Sequence, residues 1–377
     1  MNFRKGKNVN AIHCFEECMA HKSTPHPPLD IGATRLTGIR PGLQQRLIDF
    51  LGLEGEAVIT TSGVDERILN WAGTDFRSVG YIPELPSPLS KRVSDSCSVN
   101  YWGVTSECID GEWQITRSPL AGADRKDLAQ FQWPEPRINE NHLRDLEDQA
   151  RVLHDQKKYV IIAGHPVYGM LELGCWMCGY DDFMLKLAMD PDFIKDFFDR
   201  VVDIQLEVSR QYYTVLGPYI HLTTSGDDFG TQSGPFMSPA MFEELVAPAF
   251  TRRIQLTREI GDCYYWHHSC GSIAKLLPQI IECGVDILNP VQTSAQGMDP
   301  QNLKDEFGDR IVFWGAVDVQ QFLPKAEPDQ VKPEIENLIH VLGKDGGYVM
   351  APAHEMQDDI PPKNVAAWIE AFRDKGE

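Results

Sequence analysis

The residues best placed to do chemistry are His268 and Cys270, within Trp266-His267-His268-Ser269-Cys270-Gly271-Ser272, and His354, which ends Ala351-Pro352-Ala353-His354. Each stretch closes an apolar run of strand character. Residues two apart on a strand project to the same face. His268 and Cys270 therefore address a common point, and His267 faces the other way. His354 supplies a third donor from another strand. Two imidazoles and a thiolate around an open fourth position form the donor set of a catalytic zinc site, which needs neutral His and deprotonated Cys at about 2.0–2.3 Å. The same spacing also suits a small buried Cys beside a His bonded to backbone.

Further polar residues cluster at other apolar run ends. Asp227 and Asp228 are adjacent, so they point to opposite sides and make no acid/base pair. We expect Asp227 to enter the site as a fourth ligand or base, and Asp228 to cap the following Gly230-Thr231-Gln232. Asn289, Gln292 and Asp318 are candidates to hydrogen-bond a substrate, with turn and helix-cap chemistry as the alternative. Trp266 has the parity of His268 and is the candidate aromatic wall of a pocket, whereas Trp102, Trp113, Trp176 and Trp314 read as core or lid packing. Cys175-Trp176-Met177-Cys178 lacks the second cysteine pair of a zinc knuckle. His13, Cys14, Cys18 and His21 share faces of a helix at i, i+3 and i, i+4, which reads as packing.

The elements that must carry these residues alternate. Apolar strand candidates cover 28–33, 75–81, 159–164, 219–225, 262–269, 285–291, 311–317 and 347–353. Amphipathic helical patterns, such as 184–217, 239–260, 273–283, 300–307 and 328–342, lie between them. This rhythm implies parallel strands with right-handed crossovers, and eight units imply closure into a barrel. Active sites of such barrels form at the C-terminal strand ends, where Gly164-His165-Pro166, Gly226-Asp227-Asp228, His268-Ser269-Cys270, Asn289-Pro290-Val291-Gln292, Gly315-Ala316-Val317-Asp318 and Pro352-Ala353-His354 all fall. The expected fold is α/β, a (β/α)8 TIM barrel forming one domain over 1–377. Two pieces break the rhythm: a helical, proline-rich N-terminal extension over 1–27, and an insertion over 83–157 expected to form a lid. Within it, Asp110-Gly111 is a hairpin turn signal flanked by 100–104 and 112–116.

Bulk properties narrow the function. A chain of 377 residues with 42% apolar and 24% charged content supports a large core. A net charge of −20 disfavours nucleic acid, which calls for Lys and Arg clusters. No apolar run approaches the roughly 18–20 residues of a membrane span. Arg4, Lys5 and Lys7 open the chain, but Asn8, Asn10, His13, Glu16 and Glu17 interrupt any signal-peptide core. Nine scattered cysteines, an odd number, fit a reduced cytoplasmic compartment.

The run His268-Ser-Cys-Gly-Ser-Ile with Leu276-Leu-Pro-Gln-Ile-Ile-Glu-Cys-Gly-Val-Asp-Ile-Leu-Asn-Pro-Val-Gln resembles the uroporphyrinogen decarboxylase superfamily. So do Phe307-Gly-Asp-Arg-Ile-Val-Phe-Trp-Gly-Ala-Val-Asp, Gly346-Gly-Tyr-Val-Met-Ala-Pro-Ala-His, Pro28-Leu-Asp-Ile-Gly and Gly226-Asp-Asp-Phe-Gly-Thr-Gln. The resemblance implies a distorted barrel and two possible chemistries. Decarboxylases of that superfamily carry an Arg-Gln-Ala-Gly-Arg-Tyr-like motif in the first strand. Here that strand reads Asp30-Ile-Gly-Ala-Thr-Arg-Leu-Thr-Gly, with Arg35 alone. Its cobalamin-dependent methyltransferases carry H-x-C and a distant Cys as zinc ligands. His268 and Cys270 match the first part, and His354 replaces the distant Cys.

The resemblance therefore implies a zinc-dependent methyltransferase moving a methyl group from a small methylated substrate, such as a methoxylated aromatic, to a corrinoid protein. No cobalamin-binding domain is legible, so the corrinoid would belong to that partner. A homo-oligomer is compatible with the sequence. The alternatives are a cofactor-free decarboxylase of a porphyrinogen-like substrate and a non-catalytic barrel-fold binding subunit.

Overall fold

The computed structural model describes residues 10–374, so the basic stretch Arg4–Asn8 lies outside the described residues. Seven strands form one parallel sheet in chain order: β1 (Phe76–Val79), β6 (Val160–Ala163), β7 (Leu222–Gly226), β8 (Tyr264–His268), β9 (Ile287–Asn289), β10 (Val312–Val317) and β11 (Tyr348–Pro352). Their side chains are almost all buried. Near-continuous apolar runs are what a parallel sheet covered on both faces requires.

The eighth expected strand, 28–33, is reduced to a single bridge, Leu29 to Met350. Met350 N donates to Pro28 O and Asp30 N to Met350 O, both at 2.9 Å, while Asp75 N donates to Leu29 O at 2.9 Å. One residue thus links β11 to the start of β1, and a distorted (β/α)8 barrel results. Side-chain bonds replace the missing ladder. Asp30 accepts from Ala33 N and from Trp314 Nε1, each at 3.0 Å. Gly32, at φ 80°, turns the chain away, and its Cβ would meet Leu69 and Val64 at 3.0–3.1 Å.

Inside the barrel, Phe76, Val160, Ile162, Leu222, Trp266, Ile287, Val312, Trp314 and Val349 pack together. The helix Ala11–Met19, capped by Asn10, plugs the N-terminal end of this core. Its Phe15 meets Phe76 and Tyr264, the first residues of β1 and β8, edge-on at 5.7 and 5.9 Å. Long helices, including Pro191–Leu216 and Ala247–Gly261, cover the outside.

The segment 83–157 holds a four-stranded antiparallel sheet: β2 (Lys91–Ser94), β3 (Cys97–Val99), β4 (Thr105–Ile109) and β5 (Glu112–Arg117). Asp110 and Gly111 form the turn between β4 and β5, both with positive φ. The strand pairing with β5 is Thr105–Ile109 and not 100–104. Asn100 Oδ1 instead accepts from Trp102 N and Val104 N and bends that segment into a turn. The helix Glu140–Asp155 packs on β1, β6 and Pro191–Leu216, as the crossover between two barrel strands must. The rest of the segment leans on the chain beyond β6, where the Tyr101 and Tyr168 rings lie 6.4 Å apart.

Asp30 is fully buried, and burial outweighs its donors to push the carboxyl from 3.8 up to about 6. A carboxyl raised by folding contributes stability that is full below pH 4 and lost as pH rises through 6. Asp30→Asn removes this dependence. The unfolding free energy of the variant relative to the parent is expected to improve by about 2 kcal/mol between pH 4 and pH 7. A pH-independent difference would show that the donors keep Asp30 ionised throughout.

Candidate metal centre

The register of β8 decides which side chains face inward. Trp266 pairs with Ile287, His267 with Leu288 and His268 with Asn289. Trp266 belongs to the interior core, and His268 follows it two residues later. His267 lies outside the barrel, stacked on Phe229 at 5.2 Å and edge-on to Phe250 at 4.8 Å, with Ser225 Oγ 2.9 Å from its Nδ1.

His268 is buried, and Asn289 sets its tautomer. Asn289 Nδ2 donates to Trp314 O at 3.2 Å, which leaves Oδ1 to accept from His268 Nδ1 at 2.6 Å. The Nε2 lone pair is thus free. Burial holds His268 below its ordinary pKa, assisted by His354 and opposed by Asp228. Nε2 stands 3.3 Å from Cys270 Sγ, and donor atoms of His268, Cys270 and His354 all lie within 4.8 Å of one another. Two ligands of one tetrahedral ion at the usual zinc bond lengths are separated by roughly 3.5 Å. Burial, then Asp228 and Glu172, push the Cys270 thiol up to about 12. A cation is therefore needed to hold it as thiolate, and the donor set fits a borderline-soft divalent ion.

The loop beyond β8 is fixed by its own backbone. Ser269 N donates to Asn289 O, Cys270 N to Asp228 Oδ1, Gly271 N to Gln292 Oε1 and Ser272 N to Thr231 O, at 2.7–2.8 Å. Ser269 Oγ accepts from Phe229 N at 2.9 Å. Gly271 has φ +85°, and a Cβ there would meet Thr231 O at 2.6 Å and Gly230 O at 2.7 Å. Only glycine permits this approach.

Several candidates hold the site rather than line it. Trp266 is fully buried between Trp314 and His268, ring centroids 6.0 and 6.1 Å away, so it is floor and not pocket wall. Asn289 directs its amide to His268 and Trp314 O, and Gln292 Oε1 accepts from Gly271 N. Asp318 Oδ1 accepts from Gln320 N and Gln321 N, the turn-capping alternative. Asp227 is buried outside the barrel, where its carboxylate accepts from Leu171 N and Glu172 N at 2.9 Å. That caps the helix Met170–Cys178 and leaves Asp227 unsuited as ligand or base. Burial pushes it up to about 6. His165 also turns outward, 3.4 Å from the Tyr265 hydroxyl.

Asp228 is the carboxylate that faces the cluster, 3.9 Å from His268 Nε2. Strand parity identifies it: Leu222, Thr224 and Gly226 pair with Tyr264, Trp266 and His268, and Asp228 continues that series. Glu172 escaped the sequence reading. Burial, then Asp227 and Asp228, push it up to about 8. Cys175 and Cys178 are buried free thiols. Cys14 and Cys18 direct Sγ to the carbonyls of His26 and Tyr348, and His21 bonds Gly308 O, at the opposite end of the barrel.

Asn289→Ala is expected to weaken zinc affinity by about 10–100-fold through loss of the fixed tautomer. His267→Ala is expected to leave it within about twofold. Competition with a chromophoric chelator measures both; equal losses would contradict the assigned parity.

The uroporphyrinogen decarboxylase (URO-D) family model matches residues 117–375. The methylated-thiol–coenzyme M methyltransferase of Methanosarcina mazei is 24% identical over 199 residues, covering 52% of this chain and 49% of that protein. The match thus spans about half the length of this curated relative. A solved methyltransferase structure from Methanosarcina mazei superposes with a TM-score of 0.64 at 16% identity, over 97% of this chain and 99% of that one, and shares the fold. Because the family model covers well over half of its residues, the chain belongs to the uroporphyrinogen decarboxylase (URO-D) family.

Proposed function

We propose that the protein is a zinc-dependent methyltransferase that moves a methyl group from a small methyl ether, such as a methoxylated aromatic, to a corrinoid protein. The observation that carries this reading is the convergence of His268, Cys270 and His354. The name of the Methanosarcina mazei relative, a methyltransferase for methylated thiols, supports the reaction class. Zinc bound by these three residues would supply Lewis-acid polarisation of the substrate heteroatom. One thiolate and two neutral imidazoles would leave a zinc ion with net positive charge, which stabilises a leaving group as it gains negative charge.

The chain's own residues supply the rest. Asn289 keeps Nε2 of His268 unprotonated, and the bonded loop 269–272 holds Cys270 against it. A reduced corrinoid on the partner would supply the nucleophile for the methyl carbon, and zinc held by His268, Cys270 and His354 would stabilise the ether oxygen that leaves with the electrons of the C–O bond. The corrinoid resides on the partner, whose docking meets a chain of net charge −20. A decarboxylase of porphyrinogens would need cationic groups for the substrate carboxylates. Arg77 is occupied by Glu66 at 2.7 Å, and Arg253 lies buried outside the barrel.

Chelator-treated protein is expected to lose methyl transfer from methoxylated aromatics to a Co(I) corrinoid and regain it with zinc. Cys270→Ser and His354→Ala are expected to fall by at least about 100-fold, the scale of losing a group that stabilises developing charge. Porphyrinogen decarboxylation that survives complete metal removal, without methyl transfer to any corrinoid, would reject the proposal.

A further inference from the structure

The helix Pro191–Leu216 is the crossover from β6 to β7, so the two short helices before it, Met170–Cys178 and Tyr180–Met189, are inserted at the C-terminal end of β6. The metal donors lie at that same end of the sheet. Asp227 docks the first inserted helix there by accepting from Leu171 N and Glu172 N. A Cβ on Gly169, just before this helix, would meet Gly226 O at 2.4 Å. The lid reaches the same helix, with Leu120 N donating to Met177 O at 2.7 Å.

From Tyr168 to Tyr180 the open side is a single stripe. Tyr168, Glu172 and Trp176 are half-buried and Tyr180 is exposed, while every residue between them except Gly179 is buried. A spacing of four places such residues on one helix face. The rings of Tyr168 and Trp176, four residues to either side of Glu172, meet edge-on at 5.2 Å. Asp227, on which Glu172 N is seated, is followed by Asp228, which holds Cys270 N at 2.7 Å and stands 3.9 Å from His268 Nε2. One hydrogen bond and one residue therefore separate Glu172 from the carboxylate that faces the metal cluster. Neither Glu172 nor Asp228 pairs with Lys or Arg among the described residues. Burial beside Asp227 and Asp228 pushes Glu172 up to about 8, and a cation within reach would take the place of that proton. Aromatic rings beside a carboxylate suit an ammonium group, whereas a substrate carboxylate would meet like charge.

We propose that the methyl donor carries an ammonium group, held by Glu172 against the rings of Tyr168 and Trp176 while its methyl ether meets the metal centre. That the donor is an ether rests on the reading above. Its positive charge rests on this stripe.

Isothermal titration calorimetry on the protein as purified tests this with meta-methoxybenzylamine and meta-methoxybenzyl alcohol, which match in shape and differ in charge. The amine is expected to bind at least about tenfold tighter, the scale of a charge-assisted hydrogen bond. Glu172→Gln is expected to abolish the preference while leaving alcohol binding within about twofold. Trp176→Leu, which keeps the carboxylate, is expected to reduce the preference about threefold, the scale of a cation–π contact. If Glu172→Gln does not fold, the parent's preference and Trp176→Leu still judge the stripe. Amine preference without methyl transfer to any corrinoid would sink the methyltransferase reading and leave this inference standing. Equal affinity for the two compounds, binding of neither, or a preference that survives Glu172→Gln would overturn it.

Discussion

A strand in a closed barrel can show only every second side chain to the interior, and the site is built on that restriction. On β8 it sends Trp266 and His268 inward and His267 out against Phe229 and Phe250. On β7 it sends Asp228 inward and Asp227 out to cap a helix. On β9 it places Asn289 beside His268, close enough to fix the imidazole tautomer. Slipping one residue would exchange both aspartates and both histidines at once. The bonded loop 269–272 and the close approach at Gly271 oppose that slip.

Electrostatics then set what the site can hold. Burial favours neutral imidazole at His268 and protonated thiol at Cys270. The first is ready to bind a metal, and the second becomes a ligand only when a cation displaces its proton. Carboxylates gather nearby, with Asp228 beside His268 and Glu172 pushed up to about 8. A divalent ion would ease their mutual repulsion as well as recruit the thiolate.

Much of this was legible in the residues, for a physical reason. Apolar strand runs and H-x-C spacing are local signals, so seven of the eight strands and the shared direction of His268 and Cys270 follow from sequence alone. The eighth strand did not, because Asp30 and Trp314 replace its ladder with side-chain bonds whose partners lie far apart in the chain. The roles of Asn289 and Gln292 depend on which strand lies alongside and in what register, which one sequence does not encode locally. The exchange of Asp227 and Asp228 was avoidable, since counting from Leu222 settles it. The crossover helix Glu140–Asp155 was merged with the insertion because its charged sequence offers only a narrow apolar face, with Leu146 and Ala150 buried.

The central claim is that one metal ion is held by two imidazoles and one thiolate. Zinc K-edge X-ray absorption on the zinc-loaded protein tests it directly. We expect one sulfur at about 2.3 Å with nitrogen or oxygen neighbours at about 2.0–2.1 Å, and loss of the sulfur shell in Cys270→Ser. Two or more sulfur ligands, or a first shell of oxygen and nitrogen alone in the parent protein, would contradict it.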